Sequence, residues 1–284
     1  TILPNPPSLF MKFKALFVIF NIVLILSLLT LFLLPFFILD GSFMAEFWRN
    51  NWYFGAIFIV VLAVVNALFL SQWKMLSCLE REDWPALARL LEGRIIGKRR
   101  FTKRSVRLYC DSLILLSDFE GLKKLSAALE SGKPALFARL SPRFAAAAIL
   151  SGECDSAYRI ATAQVSGVDR ECGEWRAFYA AFSRHLAHKT AEATDGMLAL
   201  ARGARDPIVA VLSGYLCQGV LARSLEDRAA DLSAAASEAQ FRVGAVFTID
   251  RWNRYVEEAK ADMQVVILGK LIAEATAWLF PQAK

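Results

Sequence analysis

The sequence predicts an all-α protein: two transmembrane helices followed by an α-solenoid of stacked helix pairs. Three observations carry this reading. Two long uncharged runs stand near the N-terminus, an acidic turn recurs behind them at a 35-residue interval, and the intervening apolar residues follow helical rather than alternating spacing.

The two runs come first. Ala15 to Leu39 carries no charge over 25 positions. A helix of that length spans about 37 Å, more than the ~30 Å hydrocarbon core. It is longer than a signal-peptide core and no small-residue cleavage site follows, so it reads as an uncleaved span. Residues 1–10 read as extended, and Met11 offers an alternative start. Trp52 to Leu70 is a second uncharged run of 19 residues, flanked by Trp48, Tyr53 and Trp73, rings that favour the headgroup level. Asn66 within it is expected to hydrogen-bond across to another helix. These spans explain why the chain is 56% hydrophobic with a mean hydropathy of +0.40.

Between the runs lies "DGSFMAEFWRNN", expected as a short loop, with one arginine and two acids. Lys12 and Lys14 precede the first span; Lys74, Arg81 and a dense basic stretch follow the second. The positive-inside rule then puts both termini in the cytoplasm. Five unpaired-looking cysteines, with no CxxC, agree with a reducing compartment. The domain boundary falls at 74/75: residues 1–74 form the N-terminal segment and membrane hairpin, and 75–284 form a cytoplasmic helical domain.

Asp83-Trp84, Asp118-Phe119 and Glu153-Cys154 mark the recurring turn. Four positions after each acid stand Leu87, Leu122 and Ala157, so each unit is helix–turn–helix. One such pair cannot hide its apolar faces, whereas stacked pairs make a continuous core. Over about 75–166 the pattern resembles the tetratricopeptide (TPR) repeat. Tyr109, Cys110 and Leu113 match its packing positions; Ser117, Asp118 and Phe119 match its turn; Pro134 matches its terminal proline. Gly152, Glu153, Ala157 and Ala161 match in the third unit. Trp84 and Leu87 fit in the first, where Arg94 stands in place of a small residue. A membrane hairpin ahead of such repeats is also similar in arrangement to HemY-like bacterial membrane proteins, which implies the bacterial inner membrane.

Beyond 166 the repeat fades. Residues 173–186 with 190–203, and 206–224 with 225–239, read as a fourth and fifth pair, and 250–280 as one or two closing helices. Lys270 and Glu274 argue against a third span at 263–280 and for a cap on the last pair.

Enzyme chemistry has little support. "GRIIGKRR" (93–100) lacks the glycine spacing, the hydroxyl residue and the preceding strand of a phosphate loop. His185 and His188 have no further ligand at hand, so neither metal nor cofactor is expected. Arg89, Arg94, Lys98, Arg99, Arg100, Lys103, Arg104 and Arg107 fall within nineteen residues against Glu92 alone. Of these, Arg94, Lys98, Arg99, Arg100 and Lys103 are assigned to contact with anionic lipid, the alternative being a solvated loop. Nucleic acid is not expected, because aromatic interleaving is missing.

The TPR resemblance implies a concave surface formed by the first helix of each pair, with Arg104, Arg107, Asp111 and Arg139 facing inward. Three arginines there would suit an acidic protein segment or terminal carboxylate. The expected function is therefore a membrane-anchored scaffold or adaptor, alone or in a homo- or hetero-oligomer. The competing classes are an accessory factor or enzyme of a membrane-linked biosynthetic pathway, and a structural subunit of a cell-envelope machine.

Overall fold

The structure is a computed structural model that describes residues 18–27, 29–30, 41–163 and 170–281. Among these residues there are helices and no strands. The chain divides into two compact units, 1–90 and 91–284. Helix α2 (Gly41–Glu80) runs through 74/75, where the sequence reading divides the chain.

In the first unit, α1 (Val18–Ser27) is a short apolar helix and α2 runs from Gly41 to Glu80. The stretch expected as a loop after the first span is thus helical from Gly41 onward, since nothing between Gly41 and Trp52 breaks a helix except solvent-tolerant asparagines. Among the described residues one helical stretch, Trp52–Glu80, is long and apolar enough to cross a membrane. Its most apolar 18-residue window has mean hydropathy 2.6, and none of that window is buried. Most of the expected first span, 15–39, lies outside the described residues. Asn66 makes the interhelical bond expected of it: its Nδ2 donates to Asn21 Oδ1 on α1 (2.9 Å) and to the Leu62 carbonyl. The pair satisfies an amide donor within apolar surroundings and links α1 to α2.

α3 (Trp84–Glu92) leads into a π-helical turn, Gly93–Gly97. In the second unit follow α4 (Lys103–Leu115), α5 (Phe119–Gly132), α6 (Pro134–Leu150), α7 (Cys154–Thr162), α8 (Arg170–Leu186) and α9 (Thr190–Gly203). Then come α10 (Pro207–Leu216), a π-helical turn at Cys217–Leu221, α11 (Ala222–Ser224) and α12 (Ala229–Gly244). Each helix from α4 to α10 packs against its neighbours in sequence, and α4, α6, α8 and α10 also touch in succession.

The recurring turn has one backbone geometry. Glu82, Ser117 and Gly152 each adopt positive φ, at 53°, 54° and 79°. The amide after each bonds the carbonyl five residues back: Asp83 to Cys78 (3.0 Å), Asp118 to Leu113 (2.9 Å) and Glu153 to Ala148 (2.8 Å). This is a left-handed helix stop, which satisfies orphan carbonyls and reverses the chain. The acids then start the next helix. Asp83 Oδ1 accepts from Ala86 N (3.0 Å) and Asp118 Oδ1 from Gly121 N (2.9 Å). Leu87, Leu122 and Ala157 are all buried, as their shared position requires.

The turn also occurs a fourth time, where the sequence reading had it fading. His188 has φ 59°, the Lys189 amide bonds the Arg184 carbonyl (2.9 Å), and Ala193, four positions beyond Lys189, is fully buried. The pattern was hidden because lysine replaces the acid and histidine replaces the small residue. His188 is exposed on this turn, whereas burial presses the half-buried His185 below its ordinary pKa.

The closing region is three helices rather than one or two: α13 (Ile249–Ala259), α14 (Met263–Ile267) and α15 (Gly269–Leu279). A break at Leu268 splits the apolar run. Ile272, Ala275 and Leu279 are buried, and α15 packs on α10 while α14 packs on α6. Cys110 and Cys217 are buried; Cys78, Cys154 and Cys172 are only half-buried; all five are free thiols.

Candidate functional site

Two sides of one helix period set the site. Lys103, Arg107 and Asp111 recur at four-residue spacing along α4, and Arg139 and Arg143 do so along α6, so each set shares a helix face. With Trp175 of α8 and Asp262 these make seven residues, and all of them but Asp111 line a cavity of about 220 Å³. It thus opens on the first helix of successive pairs and on the α13–α14 junction.

Arg104 does not line this cavity; its neighbour Lys103, assigned from sequence to lipid, does. The inward face of α4 follows 103–107–111, and Arg104 is rotated about 100° from Lys103 onto exposed surface. Asp111 sits behind the cavity wall rather than on it.

The cations are organised by acids. Arg107 Nη2 donates to Asp262 Oδ1 (2.6 Å) and to the Ala261 carbonyl (2.7 Å). Arg143 Nη2 donates to the same Asp262 oxygen (2.5 Å), and its Nε lies 3.3 Å from Asp111 Oδ1. Asp111 Oδ2 is 3.9 Å from Arg107 Nε. Arg143 is 7% exposed, so its charge is tolerated only because carboxylates meet it on two sides. Burial pushes the Asp111 carboxyl above its ordinary range, with Arg143 and Arg107 pulling against that shift.

Sequence reasoning missed Arg143 and Asp262. One signal for Arg143 was present: it is the sole charge in "LSPRFAAAAIL" (140–150), and a charge inside a buried run demands a partner. Asp262 carried no local signal. Of the residues assigned to lipid, Lys98, Arg99, Arg100 and Lys103 are exposed and Arg94 is half-buried.

A larger cavity of about 300 Å³ lies between α5, α6 and α7, lined by Phe119, Phe144 and Ile160 with Lys123 and Glu153 among its polar residues. Lys123 Nζ bridges Glu153 (2.6 Å) and Glu120 (3.0 Å). Among the described residues no three His, Cys, Asp or Glu side chains converge as metal ligands.

Fold and site define an all-helical protein with a helix able to cross a membrane and a cation-rich cavity between its repeated helices. The chain belongs to the family described as "Uncharacterised Treponema protein", which it matches over residues 121–281. An "Uncharacterized protein" of Treponema pallidum (strain Nichols) is 34% identical over 282 aligned residues, covering 95% of this chain and 88% of the relative. No solved structure matches significantly.

Proposed function

We propose that the protein is a membrane-anchored scaffold or adaptor. Two spans hold it in the inner membrane with both termini cytoplasmic, and a TPR-like solenoid presents the cavity between its first helices to an acidic segment of another protein. The observation that carries this reading is the cavity's charge: Lys103, Arg107, Arg139 and Arg143 gather at one concavity beside Asp262 and the half-buried Asp111. Lys103, Arg107 and Arg143 alone bring three cations to the two carboxylates, and an arginine fork fits a carboxylate with two donors.

Cross-linking in native membranes tests it. Changing Lys103 and Arg139 to Glu reverses the cavity charge without touching the Arg107–Arg143–Asp262 bonds, and is expected to abolish capture of the partner. Undiminished capture by a folded double variant overturns the cavity as the recognition site.

The exposed run Lys98, Arg99, Arg100 supports a second contact, with anionic headgroups, worth about 1 kcal/mol per basic residue near the surface. An environment-sensitive dye at Thr102 should report burial in anionic nanodiscs that rising salt reverses. Salt-independent emission favours a solvated loop.

A further inference from the structure

We draw no further inference here: the strongest candidate, the surface row of exposed leucines Leu115, Leu150 and Leu186 that end α4, α6 and α8 two residues before each left-handed turn, carries nothing because nothing in the structure shows what covers it.

Discussion

Arg143 on α6 meets Asp262 at the α13–α14 junction, 119 positions further along the chain, with 2.5 Å between Nη2 and Oδ1. The bond ties the closing helices to α6, at the cavity lined by Lys103, Arg107, Arg139 and Arg143.

Removing the buried member of this pair should be costly. Arg143→Met leaves Asp111, a carboxylate 19% exposed, without its principal cation. Breaking a buried ion pair from one side costs about 3–5 kcal/mol, and the low end applies because Arg107 remains nearby. Asp262→Asn should cost under about 1 kcal/mol, since its side chain is half exposed and Arg143 keeps Asp111. Denaturant titration of the full chain in micelles, followed by tryptophan fluorescence, measures both. Equal costs would mean that the cluster is not organised around Arg143.

Acidification should destabilise the chain through His185. Its imidazole is half-buried with Nδ1 lacking a hydrogen-bond partner, and burial holds its pKa below the ordinary 6.5, with His188 adding to the shift. The sign follows from which state takes the proton. Below about pH 6.5 the unfolded chain protonates while the folded chain resists, so stability falls as pH drops through that value. The melting temperature should decline from pH 7.5 to pH 6, and His185→Leu should flatten the decline. An unchanged slope in that variant would assign it to another group.

Much of this architecture was legible in the sequence, for a physical reason. A turn that stops one helix and starts the next needs a residue tolerant of positive φ followed by a capping oxygen, and both leave local marks. Ser117-Asp118 carries the cap and Gly152 the positive φ; His188-Lys189 shows neither mark in sequence, and its 36-residue spacing breaks the count. Leu122 and Ala157 could be placed because burial recurs with the turn. The site was legible by halves. Arg107 and Arg139 follow from helix phase, but Asp262 depends on how far the closing helices fold back, which no period encodes. Lys103 and Arg104 lie one step of about 100° apart on α4, so only the first of them reaches this cavity.

Leu122 offers a direct check of repeat phase. It is 4% exposed between α5 and its neighbours, so Leu122→Ala should cost about 2–5 kcal/mol. At the equivalent position Ala157, fully buried, enlargement to leucine should cost about 1–3 kcal/mol through overpacking. Lys124→Ala, on exposed surface of the same helix, should change stability by less than about 0.5 kcal/mol. Three similar values would show that the repeat has been phased wrongly.

Membrane orientation can be read by labelling. In a cysteine-free background, a membrane-impermeant maleimide applied to intact cells or spheroplasts should modify a cysteine replacing Ser42, between the two expected spans. It should leave one replacing Lys124 unmodified until the membrane is opened. The basis is the excess of lysine and arginine on the two flanks over the single Arg49 between them. The inverse labelling pattern would reverse the topology and remove the argument for a reducing compartment.

The turns themselves give a test in which two substitutions must have opposite signs. Ser117 and Gly152 hold the same place in successive units, both with positive φ, at 54° and 79°. A side chain in this region costs about 1–2 kcal/mol of steric strain, which glycine avoids. Against that, glycine gives the unfolded chain more freedom, worth about 0.4–1 kcal/mol. Strain outweighs freedom, so Ser117→Gly should stabilise the chain by about 0.5–1 kcal/mol and Gly152→Ala should destabilise it by about as much. Nothing lies within 4 Å of a Cβ built on Gly152, so its penalty is conformational and not a clash. If either turn instead used ordinary backbone geometry, glycine there would only loosen the unfolded state and the sign at that position would reverse. Melting temperatures of the two single variants, measured on the full chain in one detergent, decide between these outcomes.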